Sequence, residues 1–160
     1  MSKEIGVEGL SLIKRFEGLY LVSYKCDAGV WTVGYGSTRD VHEGMIITEE
    51  QADKRLRFDV LTAGNCVNAL PVIDLLNQNQ FDALVSFVFN LGCGNFKRSN
   101  LRKRVIANPA DRAIRKEFEK WIYAGGKKLN GLIKRRNEEA DLYFTPVSGL
   151  SECLVCGRAT

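Results

Sequence analysis

The chain has 160 residues, of which 45% are hydrophobic and 26% charged, and its formal net charge is +4. These values are typical of one soluble globular domain with a substantial core, and they exclude a disordered chain. The small positive excess favours an anionic surface or polymer as partner and gives no indication of nucleic acid. No apolar run approaches the roughly 20 residues of a membrane-spanning helix, so no stable membrane insertion is expected.

The amino-terminal segment and the cysteines bear on the compartment and on metal binding. Charged residues interrupt the first 18 positions, which therefore lack the apolar core of a secretory signal. The five cysteines are expected to be reduced thiols in a cytosolic chain, with Cys66 and Cys93 packing as small hydrophobic residues. Cys153 and Cys156 have no second pair of ligands, so no metal site is predicted.

The first half of the chain predicts a helix, a small sheet and further helices. Residues 4 to 17 follow a helical period and end at Gly18. Aromatic and β-branched residues then surround a turn at residues 27 to 29, which predicts two short strands, and residues 44 to 47 are expected to complete an antiparallel sheet. Capping-box patterns at Thr48 and Asn77 predict two helix starts, the first helix running to about residue 63.

The second half is predicted to be helical up to Pro146. A short helix is expected over residues 71 to 77. The segment after Asn77 is apolar on almost every face, which indicates a buried helix. A basic helix is predicted over residues 98 to 107, and Asn108 with Pro109 is expected to cap the next one. Glycines 125 and 126 should close that helix, and Asn130 should begin the last one.

Together these elements predict a predominantly helical α+β fold in which two lobes flank a cleft. We expect a single domain over residues 1 to 146. Its β-rich lobe covers about residues 18 to 47, and its helical lobe covers residues 48 to 146 and is joined by the first helix. Residues 147 to 160 lack periodicity and are expected to form a loose tail.

Three residues around the first helix end and the hairpin are candidates for chemistry. Glu17 lies where the first helix gives way to the sheet, at a natural wall for a cleft. Cys26 and Thr32 flank the predicted turn, and the returning strand can bring Thr32 back towards the helix end. A glutamate at a helix end is ordinarily a solvated or capping residue, so the case for Glu17 depends on these two neighbours.

The segment FEG followed by AGVWTVGYGST resembles phage-type lysozymes, the endolysins of glycoside hydrolase family 24. Their signature is Glu, eight residues, Asp or Cys, five residues and Thr, which Glu17, Cys26 and Thr32 match. The resemblance extends over about residues 5 to 145. It implies a lysozyme-like fold and a muramidase that hydrolyses the β-1,4 bond between N-acetylmuramic acid and N-acetylglucosamine, without a cofactor. In such enzymes the Glu protonates the leaving oxygen, and the other two positions place a water or stabilise the oxocarbenium charge.

Two positions depart from the commoner family pattern. Cys26 stands where aspartate is frequent, and a nearby Glu17 carboxylate is expected to raise the thiol pKa above its usual value of about 8.5. Asp27 is the less favoured alternative, because neighbouring strand residues face opposite sides. Ser37 replaces a histidine that is common in relatives, and His42 is not an obvious substitute.

The resemblance also implies substrate contacts, partners and a location. Phe89 and Asn90 are expected at the lip of the cleft near the sugar, and Arg135 or Arg136 is expected to pair with Glu17. The implied partner is peptidoglycan, reached from the host cytoplasm through a separate holin, and the protein is expected to be a monomer. Two alternatives stay open: an inactive lysozyme-like protein that binds the wall, and a cysteine-dependent wall hydrolase that uses Cys26 with His42.

Overall fold

The structure, a computed structural model, describes residues 1–147, so the predicted tail lies outside the described residues apart from its first position. The predominantly helical α+β class is confirmed. In chain order the elements are α1 (Val7–Glu17), β1 (Tyr20–Lys25), β2 (Trp31–Gly34), α2 (Glu49–Asn68), α3 (Gln78–Leu91), α4 (Cys93–Arg98), α5 (Asn100–Ala107), α6 (Ile114–Glu119), β3 (Tyr123–Ala124), β4 (Lys127–Lys128) and α7 (Asn130–Phe144). A short 3-10 helix, Ile73–Leu75, lies within the helix predicted over residues 71 to 77.

Helix α1 starts three residues later than predicted, at Val7, and its first turn is held by a residue from α3. The Asp82 carboxylate accepts hydrogen bonds from the backbone N–H groups of Gly6, at 2.9 Å, and of Gly9, at 3.0 Å. A Cβ atom added to Gly9 would lie 2.7 Å from the Asp82 side chain, so only glycine allows this approach. The contact fixes the start of α1 against the core, and the helix ends at Gly18 as predicted.

The β lobe is smaller than predicted. Strands β1 and β2 pair antiparallel, with Tyr24 opposite Thr32. The expected third strand at residues 44 to 47 makes only an isolated bridge between Ile46 and Val22. The reason is local: Gly44 has a φ of 73° at the start of this segment, and the cap of α2 at Thr48 follows directly, which leaves no length for a ladder.

Both predicted capping boxes are confirmed. The Thr48 hydroxyl accepts from the Gln51 N–H at 3.1 Å, and the Asn77 side chain accepts from the Gln80 N–H at 2.8 Å. Helix α2 continues beyond the predicted end near residue 63, because Ala63 and Val67 extend its buried face.

Three boundaries in the second half were predicted wrongly. The basic helix predicted over residues 98 to 107 is α5, but it begins two residues later, at Asn100, because the Ser99 hydroxyl accepts from the Arg102 N–H at 3.1 Å and caps it. Asn108 ends α5 and does not cap α6, which begins later, at Ile114. Gly125 and Gly126 form the turn between β3 and β4, with φ values of 56° and 76°, after α6 has already ended.

The core of the helical lobe surrounds α3, as the apolar pattern predicts. Its residues from Phe81 to Val88 are all buried, and α3 packs against α1, α2 and α7. The Phe87 ring meets Phe96, Phe118 and Trp121 edge to face. This helix carries Ser86 and Asn90 to the region behind Glu17.

The expectation that Cys66 and Cys93 are reduced is wrong for this structure. They form a disulfide that joins the last turns of α2 to the first residue of α4, with their Cα atoms 6.0 Å apart. Both residues pack against the core as predicted, but their proximity arises from the long-range fold and is not visible in their spacing. Within residues 1–147, no helix combines the length and apolar character needed to cross a membrane.

Candidate functional site

Glu17 is the last residue of α1, and an arginine holds one of its carboxylate oxygens. Arg135 Nη1 donates to Glu17 Oε1 at 2.8 Å, and the guanidinium is buried beside the Phe16 ring. A quarter of the Glu17 side chain is exposed. The second oxygen faces the backbone of Gly36, where an added Cβ atom would lie 3.7 Å away at a φ of 93° that favours glycine. The predicted Glu17–arginine contact is therefore made by Arg135.

Cys26 and Thr32 lie at the closed end of the β1–β2 hairpin. The Cys26 N–H donates to the Val30 carbonyl at 3.0 Å, and the Gly29 N–H donates to the Cys26 carbonyl at 2.8 Å, which closes the turn. Thr32 is buried in β2, and its hydroxyl donates to the Val30 carbonyl at 3.0 Å. The hairpin register thus brings the cysteine and the threonine together, as their positions around the turn predict.

The environment of the Cys26 thiol differs from the expected one. Hydrogen bonding to the backbone of Val30, then to that of Ala28, and to the Thr32 hydroxyl lowers the pKa of Cys26 below its ordinary value. The expectation that Glu17 raises this pKa is therefore wrong, because the hydrogen bonds of the turn outweigh both burial and the charge of Asp27. The thiolate is favoured more than in an ordinary cysteine.

The Tyr24 phenol is affected by the charges of both Glu17 and Cys26. Burial raises the pKa of the Tyr24 phenol, and the negative charges of Tyr20, Cys26, Glu17 and Asp27 add to that shift. Asp27 itself is exposed in the turn and lies close enough to act on the same phenol. Among residues 1–147, no group of three histidine, cysteine or acidic side chains is arranged to hold a metal ion.

Behind Glu17 lies a buried group of charged side chains, of which the sequence predicted Arg135 and Arg136 as site residues. Arg136 is fully buried, and its Nη2 donates to the Asn90 side chain at 2.6 Å. Asn90 is exposed, so this hydrogen bond links the buried Arg136 to a residue at the surface. The neighbouring Phe89 is half-buried against the core. Burial lowers the pKa of Arg136 to about 10.

Glu139 completes this group, and we did not predict it. Its carboxylate is fully buried and contacts both Arg135 and Arg136. Burial raises the pKa of Glu139, and the two guanidinium groups oppose that shift. The only available signal was the spacing of the RRNEE segment, which puts Glu139 four and three residues after the two arginines on one helix face.

Ser37 and His42 lie on the loop after β2 and have separate partners. Ser37 is buried, exchanges backbone hydrogen bonds with Val33 at 2.9 Å, and lies 3.5 Å from Arg55 Nη1. His42 is exposed, and its Nδ1 lies 3.0 Å from the Glu43 carbonyl. Within the described residues, neither ring nitrogen of His42 hydrogen-bonds to Cys26.

Comparisons with known proteins identify the family. The phage lysozyme family description matches residues 14–139. The chain is 44% identical over 144 residues to an endolysin of Bacillus phage B103, which covers 88% of this chain and 54% of that protein. It is also 44% identical over 143 residues to an endolysin of Acyrthosiphon pisum secondary endosymbiont phage 1, covering 87% of this chain and 97% of that one.

Solved structures agree with this result. The muramidase domain of SpmX from Asticaccaulis excentricus superimposes with a TM-score of 0.79 at 39% identity, covering 89% of this chain and 99% of that one. The chain spans only about half the length of the Bacillus phage relative but nearly all of the other two. The family resemblance of the FEG and GYGST segments is confirmed: the chain belongs to the phage lysozyme family.

Proposed function

We propose that this protein is an endolysin-type muramidase that hydrolyses the β-1,4 bond between N-acetylmuramic acid and N-acetylglucosamine in bacterial peptidoglycan. One observation carries the proposal: in a member of the phage lysozyme family, a partly exposed Glu17 carboxyl is held by Arg135 beside the hairpin that bears Cys26 and Thr32. The similarity to two endolysins and to a muramidase domain supports the same activity.

Glu17 acts as the general acid. Arg135 occupies Oε1, so Oε2, which faces Gly36, is the oxygen that can carry the proton to the glycosidic oxygen. Proton donation by a positioned group typically contributes about 10²–10⁴ in rate. A quarter of the Glu17 side chain is exposed, which gives a sugar access to the carboxyl group.

Cys26 and Thr32 serve the second half of the reaction. The turn favours the Cys26 thiolate, which can stabilise the developing oxocarbenium charge or activate a water, as an aspartate does in relatives. Thr32 orients the same water or the thiolate through its hydroxyl. Asp27 is the alternative source of negative charge, because it is exposed in the same turn.

Substrate contacts beyond the reacting bond involve α3. Asn90 is exposed and presents its amide with its oxygen held by Arg136, and the half-buried Phe89 precedes it. We assign both to sugar binding, with Arg135 and Arg136 acting through Glu17 and Asn90. The net charge of +4 draws the enzyme to an anionic wall.

The protein acts as a monomer during host-cell lysis, waits in the host cytoplasm, and reaches the wall after release by a holin. The endolysin names of the relatives support a role in lysis.

The test is mass analysis of the muropeptides released from purified peptidoglycan. New reducing N-acetylmuramic acid ends are expected with the wild-type protein and not with Glu17→Gln, which preserves the shape of the side chain. Cleaved peptide or amide bonds in place of glycosidic ones would overturn the proposal. Equal clearing by both proteins would overturn the glycosidase assignment based on Glu17, and clearing by neither would favour an inactive wall-binding protein.

A cysteine-dependent hydrolase is the second candidate, because the pKa of Cys26 is lowered. The His42 ring nitrogen that would act as base is instead beside the Glu43 carbonyl. Cys26→Asp separates the two functions: the muramidase stays active, whereas a cysteine nucleophile is lost. Iodoacetamide treatment of wild type and of Cys26→Asp is the matched control for damage elsewhere.

A further inference from the structure

We propose that Glu139 is a positioning residue for Glu17: it holds Arg135 in place and balances the positive charges of the two arginines behind the Glu17 carboxyl. This inference rests on the proposed role of Glu17 as the general acid. Glu139 is fully buried and cannot touch substrate. It acts entirely through the side chains between itself and Glu17.

The contacts of Glu139 come from two helices and use both carboxylate oxygens. On one oxygen, Oε1, the Ser86 hydroxyl donates at 2.7 Å and Arg135 Nε donates at 3.3 Å. Arg136 Nη2 donates to the same oxygen at 3.3 Å, and Arg136 Nε lies 3.0 Å from Oε2. A buried carboxylate is retained at such a place only when it is paired in this way.

The planar guanidinium group of Arg135 contacts a different carboxylate through each of two nitrogen atoms. Its Nε faces Glu139, and its Nη1 donates to Glu17 Oε1 at 2.8 Å. Because the guanidinium is planar, fixing Nε fixes the direction in which Nη1 points. Glu139 therefore determines how Arg135 meets Glu17, and through that contact which carboxylate oxygen stays available to the substrate.

The charges give Glu139 a second effect. Arg135 and Arg136 supply two positive charges, which the carboxylates of Glu17 and Glu139 match. If Glu139 loses its charge, Glu17 is left facing two cations with no competing anion, and its ionised form gains stability. An ionised Glu17 cannot donate a proton, so the enzyme loses activity at the upper end of its pH range.

Other ionisable groups near this cluster have partners of their own. On α1, Lys14 pairs with Asp53 and Arg15 pairs with Glu138 of α7. On α3, Asp82 is engaged at the start of α1. From the hairpin, Tyr24 is the group on which the Glu17 charge acts.

The experiment compares Glu139→Gln with a matched variant, Glu117→Gln. Glu117 is also a buried carboxylate with two cationic partners, Arg104 Nε at 3.0 Å and Lys120 Nζ at 2.9 Å, but it lies on α6. In Glu139→Gln, the alkaline limb of the pH–rate profile should move to lower pH, and the rate on that limb should fall about tenfold for each pH unit of the shift. In Glu117→Gln the limb should stay where the wild type has it, whatever happens to stability.

A second readout does not depend on activity. The ¹³C signal of the Glu17 carboxyl, assigned by its absence in Glu17→Gln, should titrate at lower pH in Glu139→Gln than in the wild type. An unchanged titration, a shift to higher pH, or an equal shift in Glu117→Gln would overturn the inference. If the wild type releases no reducing ends, the proposed function fails, yet the NMR titration still decides whether Glu139 controls Glu17.

Ser86→Ala provides a milder variant in case Glu139→Gln does not fold. Losing the 2.7 Å donor from Ser86 disfavours the ionised form of Glu139, so Glu17 should titrate at lower pH by a smaller amount. Absence of any shift in a folded Ser86→Ala protein, with Glu139→Gln unfolded, would also count against the inference.

Discussion

The two sides of the site are built by different means. On the helical side, which comprises Glu17, Arg135, Arg136, Glu139 and Ser86, side chains from α1, α3 and α7 hold one another through ion pairs and hydrogen bonds. On the hairpin side, which comprises residues 20 to 47, backbone hydrogen bonds of a turn hold Cys26, and large apolar side chains remain exposed. The helical side should therefore be sensitive to the identity of each side chain, whereas the hairpin side should depend mainly on turn geometry.

The largest difference in stability between the two sides is expected when one arginine on each side is replaced by methionine. Arg136→Met leaves a fully buried Glu139 with one cationic partner fewer, and this should lower the free energy of unfolding by about 3–5 kcal/mol. Arg39→Met removes an exposed guanidinium stacked on Phe58, which should cost less than about 1 kcal/mol. Urea unfolding followed by circular dichroism measures both, and equal losses would contradict the comparison.

The next largest effect is expected when the disulfide is removed, and it should destabilise the helical side without changing the hairpin side. The Cys66–Cys93 bond joins residues 27 positions apart, and for a loop of this length its removal costs roughly 3–4 kcal/mol in the chain-entropy account. The double variant Cys66→Ala/Cys93→Ala should unfold at lower urea while the alkylation rate of native Cys26 stays constant. Cys26→Ala is the matched control, since it removes a cysteine without opening the loop. A change in Cys26 reactivity would show that the two sides are coupled.

A smaller effect concerns the titration of Cys26. Its pKa is lowered by the turn, so iodoacetamide alkylation should reach half its maximum rate at a lower pH than it does for a cysteine in a short unstructured peptide. Thr32→Val should move this midpoint to higher pH, because it removes the hydroxyl that can turn its one proton from the Val30 carbonyl to the thiolate, whereas Glu17→Gln should leave the midpoint in place. The lowered pKa also makes the stability of the protein depend on pH. The stabilisation that comes from the Cys26 thiolate is complete above the pKa of this thiol in the unfolded chain, and it is lost as the pH falls through the lower pKa of the folded protein. If the midpoint moved in Glu17→Gln and not in Thr32→Val, the titration of Cys26 would be controlled by the helical side and not by the hairpin turn.

The smallest effect is expected at the edge of the hairpin side. Ile46 makes the isolated bridge with Val22, yet about three quarters of it is exposed. Ile46→Ser should therefore change the free energy of unfolding by no more than about 0.5 kcal/mol. A loss above about 1.5 kcal/mol would mean that this segment packs like part of the core.

Local signals predicted the parts of the fold that local contacts determine. The caps at Thr48 and Asn77 each use a partner three residues away, and the all-apolar α3 had to be buried. The start of α1 could not be predicted in the same way, because Asp82 from a distant helix supplies its cap. The start of α6 was misread because an Asn-Pro pair suits a turn as well as a helix start.

The same division applies to the site. The spacing of Glu17, Cys26 and Thr32 was sufficient to bring them into consideration, since a hairpin register is a local property. The lowered pKa of Cys26 depends on which backbone groups the turn directs at the sulfur, and residue types alone do not reveal that. Glu139 was missed because its importance lies in contacts to Ser86 on α3, far away along the chain.

The disulfide described above also makes part of the chain a closed covalent ring. Helix α3, with the site residues Ser86 and Asn90, lies entirely between Cys66 and Cys93. A protease that cuts one peptide bond inside this ring, for example around the exposed Asp74 and Leu75, leaves both pieces attached to each other. A singly nicked molecule would therefore migrate as an intact chain on a non-reducing gel and as two fragments after reduction. Such a molecule can keep its buried helix in place in an environment rich in host proteases.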